Sequence, residues 1–164
     1  MKTTCLYAAI ATVVLATPVL AQNRISGTSK CSKPDTAYAL EVGDRPHHLF
    51  VMTKATCTWD KPVEMAGTES KGYETSVFNE SWATRGRMLG YVVSAFADGD
   101  KTFVRVHGRI TLKDGKQTGS EGAWNYTGGT GKFVGIKGKG TFKCSTEGEG
   151  AACTIEGEYG LPGR

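Results

Sequence analysis

The sequence predicts an all-β protein, a single antiparallel β-barrel of about eight strands preceded by a signal peptide, and three observations carry that prediction. Turn-forming residues recur at the spacing of consecutive hairpins, at Gly43-Asp44, Asp60-Lys61-Pro62, Asp98-Gly99-Asp100 and Asp114-Gly115. The segments between them are rich in β-branched and aromatic residues, and none shows the three-and-four apolar spacing of an amphipathic helix. Glycine is concentrated late, with 15 of the 22 glycines between Gly108 and Gly163. Glycine weakens a strand unless the backbone must bend sharply or approach a neighbour closely, and closing a small sheet on itself needs such corners. A barrel is therefore favoured over an open sandwich.

Residues 1–21 read as a cleaved signal peptide. Lys2 supplies a positive start, Cys5 to Leu20 is apolar apart from scattered Thr and Pro18, and Val19-Leu20-Ala21 fits a signal peptidase site. The competing reading is an uncleaved anchor, which Pro18 and the threonines disfavour, so no stable membrane anchor is expected after cleavage. Gln22 rather than cysteine follows the cut, which disfavours a lipoprotein. The expected location is secreted or periplasmic. The mature chain has 164 − 21 = 143 residues, enough for one domain with a real core. Losing Lys2 takes the formal charge from +4 to +3, a mild excess that gives no case for nucleic acid.

In order, residues 22–35 are polar and read as an N-terminal arm, and residues 36–164 as the barrel domain. Thr36 to Val42 is a short strand, and His48 to Trp59 a longer one stopped by Asp60-Lys61-Pro62. Glu64 to Gly67 and Tyr73 to Phe78 read as two strands joined by Ser70-Lys71-Gly72. Arg87 to Ala97 and Lys101 to Leu112 form a hairpin around Gly99, and Asp114-Gly115 turns the chain into Gly119 to Thr127. Gly140 to Ser145 and Ala151 to Tyr159 form a last hairpin with a polar, glycine-rich tip.

Removing the leader takes Cys5 with it and leaves Cys31, Cys57, Cys144 and Cys153, an even number in an exported chain. Two disulfides are expected, and sequence alone allows three pairings. Cys144 and Cys153 flank the last hairpin tip, which pairs them with each other and leaves Cys31 for Cys57. A zinc site is disfavoured, because no Cys-x-x-Cys or nearby Cys/His pairing occurs, and neither metal nor cofactor is expected.

Gly128-Gly129-Thr130-Gly131-Lys132 invites comparison with a phosphate-binding loop, but Phe133 stands where that loop needs Ser or Thr and no helix follows. Gly128, Gly129, Thr130 and Gly131 read instead as a structural turn. With Lys132 and Phe133 the segment resembles one in the allene oxide cyclase and dirigent families, which share a small antiparallel barrel. The resemblance covers about a tenth of the chain and implies the fold. It also suggests a cavity in which such proteins position a reactive phenolic intermediate or an unstable epoxide. Families with this fold often form dimers or trimers, so a homo-oligomer is the expectation that goes with it. No functional residue of those families is carried over.

The sharpest residue-level feature is Thr102 to Leu112, whose alternation sets Val104, Val106, Ile110 and Leu112 on one face and Phe103, Arg105, His107 and Arg109 on the other. Arg105, His107 and Arg109 are the catalytic candidates, since flanking guanidiniums hold an imidazole neutral for general-base work and attract an anion. The plainer reading is a solvent face with cross-strand partners such as Glu121. Tyr91, Phe96, Trp124 and Tyr126 are the candidates to stack on a planar ligand, set against the commoner role of aromatics as core. His47-His48 is a loop pair with a weak metal case, and Glu147 and Glu149 read as a solvated tip. Asn79-Glu80-Ser81 and Asn125-Tyr126-Thr127 match glycosylation sequons, and neither is expected to be modified, because the leader is bacterial in style. Three functions follow: a barrel binding a small apolar or aromatic ligand, a cyclase-like or dirigent-like enzyme acting on a reactive intermediate, and a structural or interaction module of the periplasm or cell surface.

Overall fold

Nine strands follow one another in the computed structural model, which describes residues 23–162. They are β1 (Asn23–Cys31), β2 (Thr36–Glu41), β3 (Leu49–Met65), β4 (Thr68–Trp82), β5 (Arg85–Ala95), β6 (Lys101–Lys113), β7 (Lys116–Gly129), β8 (Lys137–Glu147) and β9 (Gly150–Gly160). The leader, Cys5 and the cleavage site after Ala21 lie outside the described residues. Every pairing is antiparallel, in the order β1-β9-β8-β7-β6-β5-β4-β3-β2. A further β1–β3 pairing closes eight strands into a barrel and leaves β2 outside the ring. One edge of β3 therefore serves two partners. Leu49 to Lys54 pair with β2, and Cys57 to Trp59 pair with the end of β1.

The segment expected as an arm is a barrel strand. Residues 23–31 pair with β9 along their whole length, from Asn23↔Tyr159 to Cys31↔Ala151, so the barrel begins at Asn23 rather than at Thr36. Its inward positions are Ile25, Gly27, Ser29 and Cys31, and past Ile25 they are small, with a large neighbour beside them. The Trp59 ring lies 3.1 Å from where a Cβ on Gly27 would stand. Such a strand carries almost no hydrophobic alternation, which is why it reads as a polar arm.

Two other boundaries move. β3 continues through Asp60-Lys61-Pro62 to Met65, with the register slipping between Thr58 and Val63, an irregularity of the kind that accommodates a proline. Ala66 and Gly67, at φ 52° and 73°, then make a two-residue turn, and β4 runs unbroken through Ser70-Lys71-Gly72. Gly72 is required there, because a Cβ would strike the Cys57 carbonyl oxygen across the ladder. The last hairpin is also longer than expected. β8 and β9 pair out to Glu147↔Gly150, so the eight-residue tip shrinks to Gly148-Glu149.

One end of the barrel is filled. After β7 the chain makes a single 3-10 turn, Gly131–Phe133, that carries Phe133 beneath the strands. Phe133 and Ile136 are 0% and 1% exposed, among Ile25, Met65, Phe96, Tyr126 and Tyr159. The Phe96 and Phe133 ring centroids are 4.4 Å apart. Polar contacts hold this segment to the β5–β6 turn. Lys101 N donates to Thr130 Oγ1 at 2.8 Å, Lys132 N donates to Asp100 Oδ2 at 2.9 Å, and Lys132 Nζ lies 2.9 Å from Asp98 Oδ2. The Lys132 ammonium holds the Asp98 carboxyl below its usual range.

Candidate functional site

Above that floor the barrel encloses a cavity of about 370 Å³, within the size range of small-molecule sites. Alternation on every strand sets its walls: Ala55, Cys57 and Trp59 from β3, Tyr73, Thr75 and Val77 from β4, and their equivalents around the ring face inward. Near the floor the wall is aromatic and aliphatic. Toward the other end it passes through Ser120, Thr53 and Asn79 to Ser32, Gln117 and Glu149. Among the described residues lining it there is no Lys, Arg, His or Asp. Glu149 is the one carboxylate, and it lies at the outer end, 2.7 Å from Lys33 Nζ.

Glycines let the aromatics lie flat inside the wall. Trp124 covers Gly140 on β8 and Gly157 on β9, where any Cβ would collide with its ring. Its Nε1 donates to the Thr141 carbonyl oxygen at 3.2 Å, so this indole is satisfied within the fold. The Tyr126 hydroxyl donates to Met65 Sδ at 3.6 Å, and burial pushes its ionisation upward. The Tyr73 hydroxyl shares a 2.7 Å hydrogen bond with Ser29 Oγ, and burial raises its ionisation too, against the lowering effect of that bond. Both phenols are therefore held protonated.

The two disulfides line the same cavity. Cys31–Cys57 staples β1 to β3 and Cys144–Cys153 staples β8 to β9, each joining residues directly opposite in the ladder. The pairing predicted from the hairpin is the one observed. Two such bonds indicate an oxidising environment.

The sequence-derived site residues separate cleanly. Phe96, Trp124 and Tyr126 line the cavity near its floor, whereas Tyr91 stands on the outer wall, 53% exposed. Arg105, His107 and Arg109 all project from the outer wall of β6, because Thr102, Val104 and Val106 take the inward positions. Arg109 Nη2 meets Glu121 Oε1 at 3.4 Å across the ladder. An enzymatic role built on those three loses its contact with the cavity.

His48 is buried with Nδ1 2.5 Å from Asp44 Oδ1 and Nε2 3.1 Å from Glu80 Oε1, an arrangement that holds the Asp44 carboxyl below its usual range. Asn79 faces inward and is 7% exposed, and Asn125 Nδ2 donates to the Tyr126 carbonyl oxygen at 3.3 Å. Ser29, Trp59 and Tyr73 escaped the sequence reading. The available signal was parity, since Trp59 shares its face with Cys57, a residue already assigned to a cross-strand bond.

The outer wall has a feature of its own. Tyr38 and Leu40 on β2, Met52 on β3, Phe78 on β4, and Leu89 and Tyr91 on β5 are all exposed. Tyr38, Met52, Phe78 and Leu89 fall in one row across four strands. β2 is exposed along its whole length and pairs on one side only among the described residues.

No protein-family profile matches this chain, and no curated protein matches it in sequence. Solved structures do. The pterocarpan synthase dirigent proteins GePTS1 and PsPTS1 are each 13% identical, with TM-scores of 0.48 and 0.47. The alignments cover 94% and 85% of this chain and 98% and 95% of theirs. A protein of unknown function of the DUF3224 family, from Shewanella oneidensis MR-1, is 13% identical with a TM-score of 0.50, over 87% of this chain and 99% of its own. At such identity the likeness is one of fold alone, that of a small closed antiparallel β-barrel.

Proposed function

We propose that this protein is exported and holds one small, uncharged, apolar or aromatic molecule inside its barrel. One observation carries the reading: a cavity of about 370 Å³ whose inner end rests on the packed cluster of Met65, Phe96 and Tyr126, and whose one charged lining residue among the described residues is at the outer end. An apolar wall of this size stabilises an apolar guest by roughly 25 cal/mol for each Å² removed from water, while an ion entering it would lose its hydration without a partner. The protonated phenols of Tyr73 and Tyr126 are the titratable groups deep in the wall, which favours holding over acid–base chemistry. Native mass spectrometry with a panel of phenolics and fatty acids tests the reading. One retained neutral guest per chain is expected, with a change in the emission of the cavity tryptophans. Retention of none, with unchanged emission, overturns it.

A second reading has its own support in the exposed row from Tyr38 to Leu89 and the open edge of β2. Exposed apolar patches and unpaired edges are surfaces on which other chains dock, a second copy included. Light scattering across a concentration series distinguishes the two, since a monomer at every concentration removes the self-association form of this reading.

A further inference from the structure

Trp59 and Trp124 are both buried in the barrel wall, and the fold treats their indoles differently. Trp124 Nε1 reaches a backbone carbonyl, whereas Trp59, 9% exposed and one of the residues lining the cavity, has an Nε1 buried in the wall with no partner among the described residues. A buried donor left unmade costs about 1–3 kcal/mol, so a fold that keeps one inside a binding-sized cavity has a use for it. The Trp59 ring packs on one side over Gly27 and on the other against Tyr73, at a centroid separation of 5.1 Å.

We infer that Trp59 Nε1–H is the polar anchor of the cavity and takes an acceptor oxygen, a carbonyl of ketone, aldehyde, ester or quinone type, on an otherwise apolar uncharged molecule. The inference rests on the barrel being a binding site and names the polar part of its occupant. Beside the indole, Tyr73 and Ser29 share one hydrogen bond between two hydroxyls, so a second O–H remains to donate. The anchor thus offers donors. A carboxylate would bring a charge into a wall with no cation, past Glu149 at the outer end, and an ammonium would lose its hydration with no carboxylate beside the indole to pair with.

The other unpartnered buried side-chain atom among the described residues, Asn79 Oδ1, does not serve the same group. Asn79 lies opposite Val51, and at about 3.3 Å per residue Trp59 is on the order of 25 Å further along β3. An alcohol at the indole would leave its own hydrogen without that acceptor.

The test uses the full chain and four probes on one skeleton: 2-acetylnaphthalene, 1-(2-naphthyl)ethanol, 2-ethylnaphthalene and 2-naphthoate, titrated by calorimetry. The ketone should bind about fivefold or more tighter than the hydrocarbon, the alcohol between them, and the carboxylate not measurably. Trp59→Phe keeps an aromatic ring and removes the N–H. It should bring the ratio of ketone to 2-ethylnaphthalene affinity to about one, whatever the smaller ring does to both affinities. Equal binding of ketone and hydrocarbon by the unsubstituted protein would overturn the anchor and leave the binding reading standing. Binding of none of the four would remove both. If Trp59→Phe unfolds, Tyr73→Phe provides the second variant, and an unchanged ketone preference in it would confine the anchor to the indole.

Discussion

The two ends of this barrel are built from the same strands and do opposite things. At one end the 3-10 turn drives Phe133 and Ile136 under the strands, and the side chains meet as a packed core. At the other, small and polar residues face a space that no side chain fills, and two disulfides bridge neighbouring strands around it. The difference teaches how a chain of this size keeps a cavity. Burial supplies stability where the barrel is closed, and covalent staples restrain the wall where burial is missing.

Truncating the floor should break this arrangement most. Phe133→Ala is expected to cost about 3–5 kcal/mol in a urea denaturation, whereas Val77→Ala, in the cavity wall, should cost less than about 1.5 kcal/mol. Equal costs would mean the two ends are packed alike. Next in size is the loss of a staple. Replacing Cys144 and Cys153 by alanine should remove about 3 kcal/mol, and hydrogen exchange should rise in β8 and β9 toward Gly148 before it rises around Phe133. Faster exchange at the floor first would reverse the assignment.

Alkali probes the walls through their phenols. Burial raises the ionisation of Tyr126 and Tyr73 above a phenol's ordinary value of 10.0, so the stability they contribute is fully present below about pH 10. It is lost as pH rises, because the unfolded chain releases protons that the folded one retains. By about pH 11 Tyr126 alone should account for roughly 1 kcal/mol. Ultraviolet absorbance should show a late phenolate step that coincides with loss of circular dichroism; a step completed while the fold persists would contradict the burial argument.

The smallest effect is expected outside. Replacing Arg105, His107 and Arg109 by glutamine should change stability by no more than about 0.5 kcal/mol per site and leave naphthyl-ketone binding unaltered. A tenfold loss of binding would show that the outer wall of β6 communicates with the cavity.

Much of this architecture was legible residue by residue. Asp98-Gly99-Asp100 and Asp114-Gly115 marked the hairpins on either side of β6, with Gly99, Asp114 and Gly115 at positive φ, and the pairing of Cys144 with Cys153 followed from their places in the last hairpin. What escaped were segments whose local pattern is governed by something far away. β1 looked like an arm because Gly27 and Ser29 are small for the sake of Trp59, and β3 looked finished at Pro62 because the irregularity that carries it onward depends on β4.

The sequence by itself determined the strand count to within one, the barrel class, the disulfide pairing, and the alternation that sets Arg105, His107 and Arg109 opposite Val104 and Val106. It did so because turn chemistry and period-two alternation act over a few residues. Only the tertiary structure decided which of those faces is the inside, that Phe133 closes one end, and that one indole is satisfied while another is left unpaired in the cavity wall. Those outcomes depend on closing β1 onto β3. A barrel's interior exists only once its first and last strands meet, and no short stretch of sequence records that closure.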